Sequence, residues 1–227
     1  MLNNKEFRFN PILNEMRIDD YMSWMRLNEK HLNTIHNICL NCGETIEGNC
    51  FYEHGTLNRI IEFIPKQMNH LTLGAVSNNI LEIGFNAGHS TLLYLTSNPN
   101  SKITSFDLCE HSYTLPCLEY LQKHFPNRIN FVSGDSTQTL PEYIRNNPNH
   151  RFDLIHIDGG HDKEIAEKDF TNCYEIASNI IVFDDTNSPI LNNMFEDYLS
   201  KKMIDEIFLY RTTIYEHRIA KTNRSKR

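Results

Sequence analysis

Apolar residues recur at a helical spacing through the first part of the chain. A period close to 3.6 residues is seen at Ile18, Tyr21, Met22, Met25, Leu32, Ile35 and Ile38, and it predicts a long amphipathic helix. A second helix is predicted from Thr56 through Phe63, ending at Pro65 because proline cannot continue a helix. We therefore assign residues 1–75 to a helical N-terminal extension that could serve as a lid.

From Asn79 onward the pattern changes to short apolar runs separated by helical stretches. The runs predict strands at 80–84, 103–107, 129–132, 152–158 and 180–184, with helices at 90–97, 112–124, 138–146, 163–176 and 189–202. Such alternation is typical of parallel βαβ units, so we expect an α/β fold with a Rossmann-like, doubly wound sheet. Two further runs, 204–210 and 213–219, predict an antiparallel edge hairpin and bring the total to seven strands. The domain is predicted to span 76–220, followed by a flexible basic tail at 221–227.

Acidic residues stand at the ends of the predicted strands. Glu82, Asp107, Asp158 and Asp184 each close a strand, and the third strand leads into Gly134-Asp135. A buried core has no need for carboxylates along one rim, although isolated acids after strands are often simple caps. Because ligands of open parallel sheets bind beyond the carboxyl ends of the strands, this rim is the expected site.

A glycine-containing turn joins the first strand to the following helix. Residues 82–90 read E-x-G-x-x-x-G-x-S, where glycines permit a tight turn and the helix N-terminus offers free amide donors. The dinucleotide fingerprint G-x-G-x-x-G fails because position 86 is Asn, which disfavours a nicotinamide oxidoreductase. Asp107 ends the next strand, where an acid can accept the hydroxyls of a ribose.

The turn and Asp107 together resemble the class I S-adenosylmethionine-dependent methyltransferases, from about Asn79 to Ile219 in motif order. The resemblance implies S-adenosylmethionine as cofactor, with the glycine turn at its methionine end, Asp107 at the ribose and Gly134-Asp135-Ser136 at the adenine. The implied cofactor-binding residues are Glu82, Gly84, Asn86, Gly88, Ser90, Asp107, Leu108, Gly134, Asp135, Ser136 and Asp158.

Two later motifs, residues 152–161 and 181–186, resemble the metal-dependent O-methyltransferases that include catechol, caffeoyl-CoA and macrocin-type enzymes. The resemblance implies that Asp158, Asp184 and Asp185 hold Mg²⁺ or another divalent cation. Three converging carboxylates would also repel one another unless a cation lay between them, and hard oxygen ligands suit Mg²⁺. The alternative is that Asp185 points away and caps the following segment.

His161 lies three residues after Asp158, where the catechol enzymes carry a lysine that acts as general base. Imidazole has a reference pKa of ~6.5, which suits proton abstraction near neutral pH. His161 and Asp158 are therefore the expected catalytic residues. His161 could instead ligate the metal or contact the substrate, and Lys163 is a less favoured base. Asp185, in place of the neutral Asn of the catechol branch, looks more like the sugar-modifying enzymes.

The net charge, the apolar runs and the cysteines indicate which partners and which cell compartment to expect. The formal charge is −7, from 22 basic and 29 acidic residues, and no basic groove is evident, so we expect no nucleic-acid partner. No run of 18 apolar residues is present, so we expect no membrane span. Residues 1–6 lack the apolar segment of a signal peptide, and six cysteines without such a signal favour a reducing, cytoplasmic location.

Some features of the sequence leave alternatives open. Cys39, Cys42, Cys50 and His54 could bind zinc, but their spacing matches no known zinc module, so incidental thiols are favoured. Tyr52, Glu53 and His54 could line an acceptor pocket or form a simple turn. His70 and His150 are expected to be solvated surface residues.

The sequence therefore predicts an S-adenosylmethionine-dependent, divalent-metal-assisted O-methyltransferase acting on a small-molecule or sugar hydroxyl. The alternative is a catalytically inactive cofactor-binding or regulatory module of the same fold. The N-terminal helices could also pack on a second subunit in a homodimer.

Overall fold

Alternating strands and helices build one seven-stranded sheet in the computed structural model, which describes residues 16–53, 56 and 58–224. The strands are β1 (Asn79–Ile83), β2 (Lys102–Asp107), β3 (Ile129–Ser133), β4 (Phe152–Ile157), β5 (Ala177–Phe183), β6 (Ile204–Ile207) and β7 (Arg218–Thr222). The helices are α1 (Ile18–Asn41), α2 (Ile64–Ala75), α3 (His89–Ser97), α4 (Thr114–His124), α5 (Ser136–Asn146), α6 (Lys163–Ile176) and α7 (Pro189–Ser200).

The strand order is β3-β2-β1-β4-β5-β7-β6. The first five strands are parallel to their neighbours, and β7 pairs antiparallel with both β5 and β6. The chain winds outward from β1 in one direction and then from β4 in the other, so the order reverses between these two central strands. This confirms the predicted doubly wound α/β fold with an antiparallel edge, and it opens a crevice between the ends of β1 and β4.

Successive strand residues point to opposite faces of the sheet, and each face carries its own core. Ile80 and Leu154 pack with α1 to α4 on one face, whereas Leu81 and Ile155 pack with α5 to α7 on the other. All four side chains are fully buried. Their near-continuous apolar character is what a parallel sheet covered on both faces requires.

Helix α1 confirms the helical period seen in the sequence. Tyr21, Met25, Leu32 and Ile35 are buried along one stripe of the helix. The indole of Trp24 donates a 2.8 Å hydrogen bond to the Thr96 hydroxyl in α3. The helix is thus part of the core that covers the sheet.

The second predicted helix was wrong at both ends. Residues 61–63 form a single 3₁₀ turn, and α2 begins at Ile64, so Pro65 lies in its first turn. The physical reason is that proline lacks a backbone N–H that the first turn does not need, and its fixed φ angle suits a helix start. With Pro65 taken as the end of a helix, the sequence pattern predicts no helix after it, and α2 is therefore missing from the prediction.

The predicted domain boundary at 220 falls inside β7, which continues through Lys221 and Thr222. The guanidinium of Arg224 then donates to the carbonyl of Tyr174. The rest of the predicted tail, residues 225–227, and the first 15 residues lie outside the described part of the chain. None of the helices that the structure describes has the length and apolar character needed to cross a bilayer.

Candidate functional site

The glycine turn after β1 has the geometry that its sequence predicts. Gly84 has φ +89°, and a Cβ atom there would lie 2.0 Å from the carbonyl oxygen of Asp158. Gly88 has φ +79° at the start of α3, and a Cβ there would meet Leu121 and Phe85. Asn86, between them, also has a positive φ. Only glycine fits the two outer positions without strain, because L side chains disfavour positive φ.

Asp107 is held by backbone amides on both sides. Its two carboxylate oxygens accept hydrogen bonds from the N–H groups of Asn86, at 2.8 Å, and Cys109, at 2.7 Å. Charge-assisted hydrogen bonds of this kind are strong and directional. The carboxylate therefore ties the glycine turn to the loop after β2, and its remaining lone pairs can accept other donors.

A cavity lies between the glycine turn and the ends of β4 and β5. Its walls include Gly84, Asn86, Ser90, Asp158 and Lys66. The side-chain oxygen of Asn86 is buried and accepts no hydrogen bond from the described residues. Buried polar atoms are rarely left unpaired, so this oxygen points to a ligand or ordered water in the cavity.

Glu82, by contrast, faces the core. It is fully buried and accepts hydrogen bonds from the hydroxyls of Ser90, Thr91 and Ser105. It is not among the residues that line the cavity. Its place in the structure is that of a support for Ser90 and α3.

The loop after β3 is occupied by internal bonds. Asp135 caps α5 by accepting the N–H of Thr137, and Gly134 donates its N–H to the carbonyl of Asp107. The Ser136 hydroxyl donates a 2.8 Å hydrogen bond to Asp169, a buried residue that no sequence motif indicated. Leu108, next to Asp107, is 57% exposed, which leaves an apolar face open beside the Asp107 carboxylate.

Asp158, His161 and Asp185 come together at the ends of β4 and β5. One potential ligand atom from each lies within 4.8 Å of the other two. His161 Nε2 is 2.8 Å from Asp185 Oδ2, and this hydrogen bond raises the pKa of His161 above its ordinary value. Asp185 therefore turns toward His161, which argues against the alternative in which it points away as a cap.

Asp184 faces the opposite way, into the protein. Its Oδ1 accepts from the ammonium of Lys66 at 2.6 Å and from the N–H of Asp185 at 2.8 Å, and its Oδ2 accepts from His156 Nε2 at 3.1 Å. Burial opposes ionisation here, but Lys66 and His156 outweigh it and hold the pKa of Asp184 well below its usual range. Both oxygens are thus already bonded within the chain.

The structure therefore splits the three predicted metal ligands. Among the described residues, ligand atoms lie within 4.8 Å of one another in the groups Asp158–His161–Asp185 and His156–Asp158–Asp184. A third such group is His70–Asp184–His217, but no group contains all three aspartates. Asp184 turns away from Asp185 because it pairs with Lys66. No local sequence pattern indicates this pair, since the two residues are 118 positions apart.

The charges at the strand ends do not balance within the chain. Glu82, Asp158, Asp184 and Asp185 face two buried cations, Lys66 and His156. Burial opposes the charged form of His156, but the hydrogen bond to Asp184 and the carboxylate of Glu82, 3.8 Å from Nδ1, raise its pKa to about 10, so it is protonated at neutral pH. The carboxylates at the strand ends thus outnumber the two buried cations.

The excess of carboxylates affects the pKa of Asp158. Burial and the neighbouring carboxylate of Asp184 raise the pKa of Asp158, because its charged form is disfavoured in this environment. A divalent cation at Asp158 and Asp185 would favour the charged form of Asp158, and His161 would complete a set of oxygen and nitrogen donors. These three residues fit such an ion, whereas Asp184 does not.

A second cavity lies beside His161. Asp158 and Asp184 line it as well, so they separate it from the first cavity. Ile157, Leu191 and Met194 give it apolar walls. It is therefore suited to the carbon skeleton of a molecule that presents a polar group to Asp158 and His161.

Several histidines lie where the sequence pattern did not predict them. His70 was expected at the surface and is fully buried, with Nδ1 2.6 Å from the hydroxyl of Tyr94. His217 is also buried, next to Asn69. Burial lowers the pKa of both imidazoles, that of His217 to about 3. Position 70 lies on α2, the helix that was not predicted, and the apolar period of α2 was the available signal.

The cysteine cluster does not assemble in the described part of the chain. Cys39 lies 3.8 Å from Cys117, sulfur to sulfur, and Cys42 contacts the carbonyl of Ser112 instead. His54 lies outside the described residues. All six cysteines, each of them described, are free thiols. Tyr52 is buried against His36 and His89.

Comparison with known proteins agrees with this geometry. Residues 81–186 match the family model described as a methyltransferase domain. The structure resembles an O-methyltransferase from Bacillus cereus in complex with SAH (TM-score 0.60, 16% identity, 85% of this chain and 90% of that chain). It also resembles the O-methyltransferase TomG from Streptomyces achromogenes, involved in tomaymycin synthesis, in complex with SAM (0.55, 17%, 69% and 78%).

A third similar structure is CalS11, a TDP-rhamnose 3′-O-methyltransferase of calicheamicin biosynthesis (TM-score 0.59, 16% identity, 94% of this chain and 99% of that chain). At these identities the likeness to solved structures establishes the fold. No curated protein sequence matches the chain.

Proposed function

We propose that this chain, whose residues 81–186 match the model of a methyltransferase domain, transfers a methyl group from S-adenosylmethionine to a hydroxyl of a small molecule or sugar. The observation that carries the proposal is the convergence of Asp158, His161 and Asp185 beside the glycine-turn cavity. It places a candidate base and two carboxylates next to a site suited to a nucleoside cofactor. S-Adenosylmethionine supplies the electrophilic methyl group when it is bound.

The residues around the first cavity would bind and orient the cofactor. The glycine turn would accept the methionine end, with the unpaired Asn86 oxygen and the Ser90 hydroxyl as polar contacts. Asp107 would accept the ribose hydroxyls, since its carboxylate is already fixed by two backbone amides. Leu108 would cover the adenine with apolar surface, and Gly134 and Ser136 would border it.

His161 would remove the proton from the acceptor hydroxyl. Asp185 orients the imidazole through the 2.8 Å contact with Nε2, as acidic partners orient catalytic histidines elsewhere. Lys163 is a weaker candidate, because its ammonium is 3.6 Å from Glu167 and its side chain is 67% exposed. Positioning donor and acceptor in one orientation can supply ~7–11 kcal/mol of barrier reduction.

We further propose that a divalent cation assists the methyl transfer. Asp158, Asp185 and His161 would hold a divalent cation, which would lower the pKa of the acceptor hydroxyl when bound. If His161 is a ligand, it cannot at the same time be the base, so the two roles exclude each other at one moment of the reaction. The acceptor would enter through the second cavity, with Leu191 and Met194 along its carbon skeleton.

The test is methyl transfer to a panel of phenols, catechols and nucleotide-activated sugars, followed by mass spectrometry with and without EDTA. We expect a methylated product from at least one hydroxyl acceptor. Asp158→Ala should abolish turnover while S-adenosylhomocysteine binding stays measurable. A variant of exposed Asp162, Asp162→Ala, is the matched control, because that residue stands at the N-cap position of α6 and lines neither cavity.

An inactive cofactor-binding module is the second candidate from the sequence. It requires a protein that binds S-adenosylhomocysteine but methylates nothing across the panel. The close approach of Asp158, His161 and Asp185 favours the enzyme, because a decayed site has no reason to keep three reactive groups within 4.8 Å of one another.

A further inference from the structure

Lys66 is a buried lysine that no motif of the sequence singled out. It lies in the first turn of α2, and only 6% of its surface is exposed. Its ammonium donates to Asp184 Oδ1 at 2.6 Å and to the carbonyl of Tyr215 at 3.2 Å. The helix start at Pro65 thus delivers a cation to the end of β5.

The buried ion pair between Lys66 and Asp184 has a desolvation cost, which suggests that it has a role beyond stability. Burying an ammonium and a carboxylate removes both from water, and their attraction often does no more than offset that cost. A hydrophobic pair would fill the same space. The pair lies on the wall of the cofactor cavity, at the strand end where the acids of the site collect.

Three of the ~four acceptor sites of the Asp184 carboxylate are already occupied within the chain. Lys66 and the Asp185 amide donate to Oδ1, and His156 donates to Oδ2. A metal ion that bound Asp184 would lie close to the ammonium of Lys66 and be repelled by it, and Lys66 has no second carboxylate partner among the described residues.

We infer that Lys66 is the fixed counter-ion of Asp184, and that it confines the divalent cation to Asp158, Asp185 and His161. Lys66 is therefore a positioning residue that determines which of the three aspartates bind metal. This inference rests on the proposed function, because it concerns the cation proposed there. It assigns to Asp184 a role different from the one expected from the sequence.

Two variants test the inference by direct Mn²⁺ binding, measured by electron paramagnetic resonance and by Mg²⁺ competition. Asp184→Asn should keep the Mn²⁺ affinity within about threefold, whereas Asp185→Asn should lower it about tenfold or more, since the number and charge of the ligands set the affinity of such sites. Equal losses in the two variants would overturn the inference.

Lys66→Met keeps the apolar stem and removes the charge. Asp184 then loses the ammonium beside its Oδ1, so Mn²⁺ should bind about tenfold more tightly than to the wild type. The added Mn²⁺ should also raise the melting temperature more in this variant, because a ligand stabilises the state that binds it. A lysine whose role was only structural would lower the melting temperature without changing the metal affinity.

Controls separate the possible failures. Lys201→Met removes an exposed lysine paired with Asp197 and should leave Mn²⁺ binding unchanged. The double variant Lys66→Met/Asp184→Asn removes both charges and should return the affinity to the wild-type value, which guards against misfolding of either single variant. No gain of affinity in Lys66→Met overturns the inference.

The outcome is also distinct from the outcome of the methylation test. Mn²⁺ binding needs neither cofactor nor acceptor. If the wild type binds no Mn²⁺, the metal part of the proposed function and the inference about Lys66 both fail. If the wild type binds Mn²⁺ but Lys66→Met gains no affinity, only the inference fails. If methyl transfer fails but the Mn²⁺ series behaves as described, the inference holds independently of the acceptor.

Discussion

At Asp107 a single carboxylate organises two turns at once. It accepts hydrogen bonds from the backbone N–H groups of Asn86, in the glycine turn, and Cys109, in the loop after β2. Asp153 does the same at the opposite end of the sheet, where it accepts the amides of Asn78 and Asn79. The two residues make equivalent bonds, but only Asp107 lies at the carboxyl ends of the strands.

We expect Asp107→Ala to weaken S-adenosylhomocysteine binding about 10- to 100-fold, because hydrogen bonds to a charged group contribute ~1.5–3 kcal/mol each. Isothermal titration calorimetry measures the change. Asp153→Ala is the matched control: it should lower stability and leave the affinity unchanged. Equal affinity in Asp107→Ala and wild type would contradict the assignment of Asp107 to the ribose.

Asp169 gives a pH-dependent prediction at the same scale. It is fully buried on α6 with Ser136 as its hydrogen-bond donor, and burial raises its pKa to about 6. In the unfolded chain the pKa is ~3.9, so between the two values the folded state holds a proton that the unfolded state has released. Stability therefore falls as pH rises through this window.

Asp169→Asn cannot ionise, so its free energy of unfolding relative to that of the wild type should be about 1–3 kcal/mol higher at about pH 7.5 than at about pH 4. Urea denaturation at the two pH values measures the difference. Asp162→Asn, at an exposed position, should show no such change. A gain in Asp169→Asn that did not depend on pH would argue against the raised pKa.

Among the elements, α1 and α2 show what a helical pattern predicts and what it does not. The helical period predicted α1 and the buried residues Tyr21, Met25, Leu32 and Ile35, but Ile18 and Met22 of the same pattern are exposed. The sequence pattern did not predict α2, because a proline between two apolar stretches, such as Pro65, can end one helix or begin the next. The apolar residues that follow it, including Leu71 and Leu73, are fully buried.

If α1 belongs to the core, Leu32→Ala should lower the free energy of unfolding by about 2–5 kcal/mol, the usual cost of truncating a buried leucine. Urea denaturation measures the loss. Leu27 lies on the same helix but is 81% exposed, so Leu27→Ala is the control and should change stability little. Similar values for the two variants would mean that α1 does not pack on the sheet in solution.

Over the whole molecule, the reversal of strand order between β1 and β4 decides where a ligand can bind. Backbone hydrogen bonds continue past the strand ends, from Gly84 to Phe106, Asp158 to Ile83 and Asp184 to Ile157. The residues that follow the strands are therefore fixed by the sheet itself. The site inherits the rigidity of the central strands.

An S-adenosyl cofactor or its demethylated product should stabilise this fold, and a nicotinamide cofactor should not. At a concentration about 100 times its dissociation constant, S-adenosylhomocysteine should add ~2.7 kcal/mol to the free energy of unfolding. Thermal denaturation with S-adenosylhomocysteine or NAD⁺ distinguishes the two. An equal rise in melting temperature with NAD⁺ would revive the oxidoreductase that the spacing of the glycines disfavours.

The sequence by itself determined the fold and the positions of the strand-end acids. Strand period, helix period and the glycine turn are local patterns, and the carboxyl ends of parallel strands must meet at one edge of the sheet. The order of these patterns along the chain is therefore enough to assign Asp107, Asp158 and the glycine turn to one rim.

Only the tertiary structure decided which way the acids face and what neutralises them. Asp184 and Asp185 are adjacent in the chain, yet one turns inward to Lys66 and the other outward to His161. Lys66 and the buried histidines reach the site from α2 and from the segment before β7, far away in sequence. No local pattern encodes such contacts, because they depend on how the packed elements bring distant charges together.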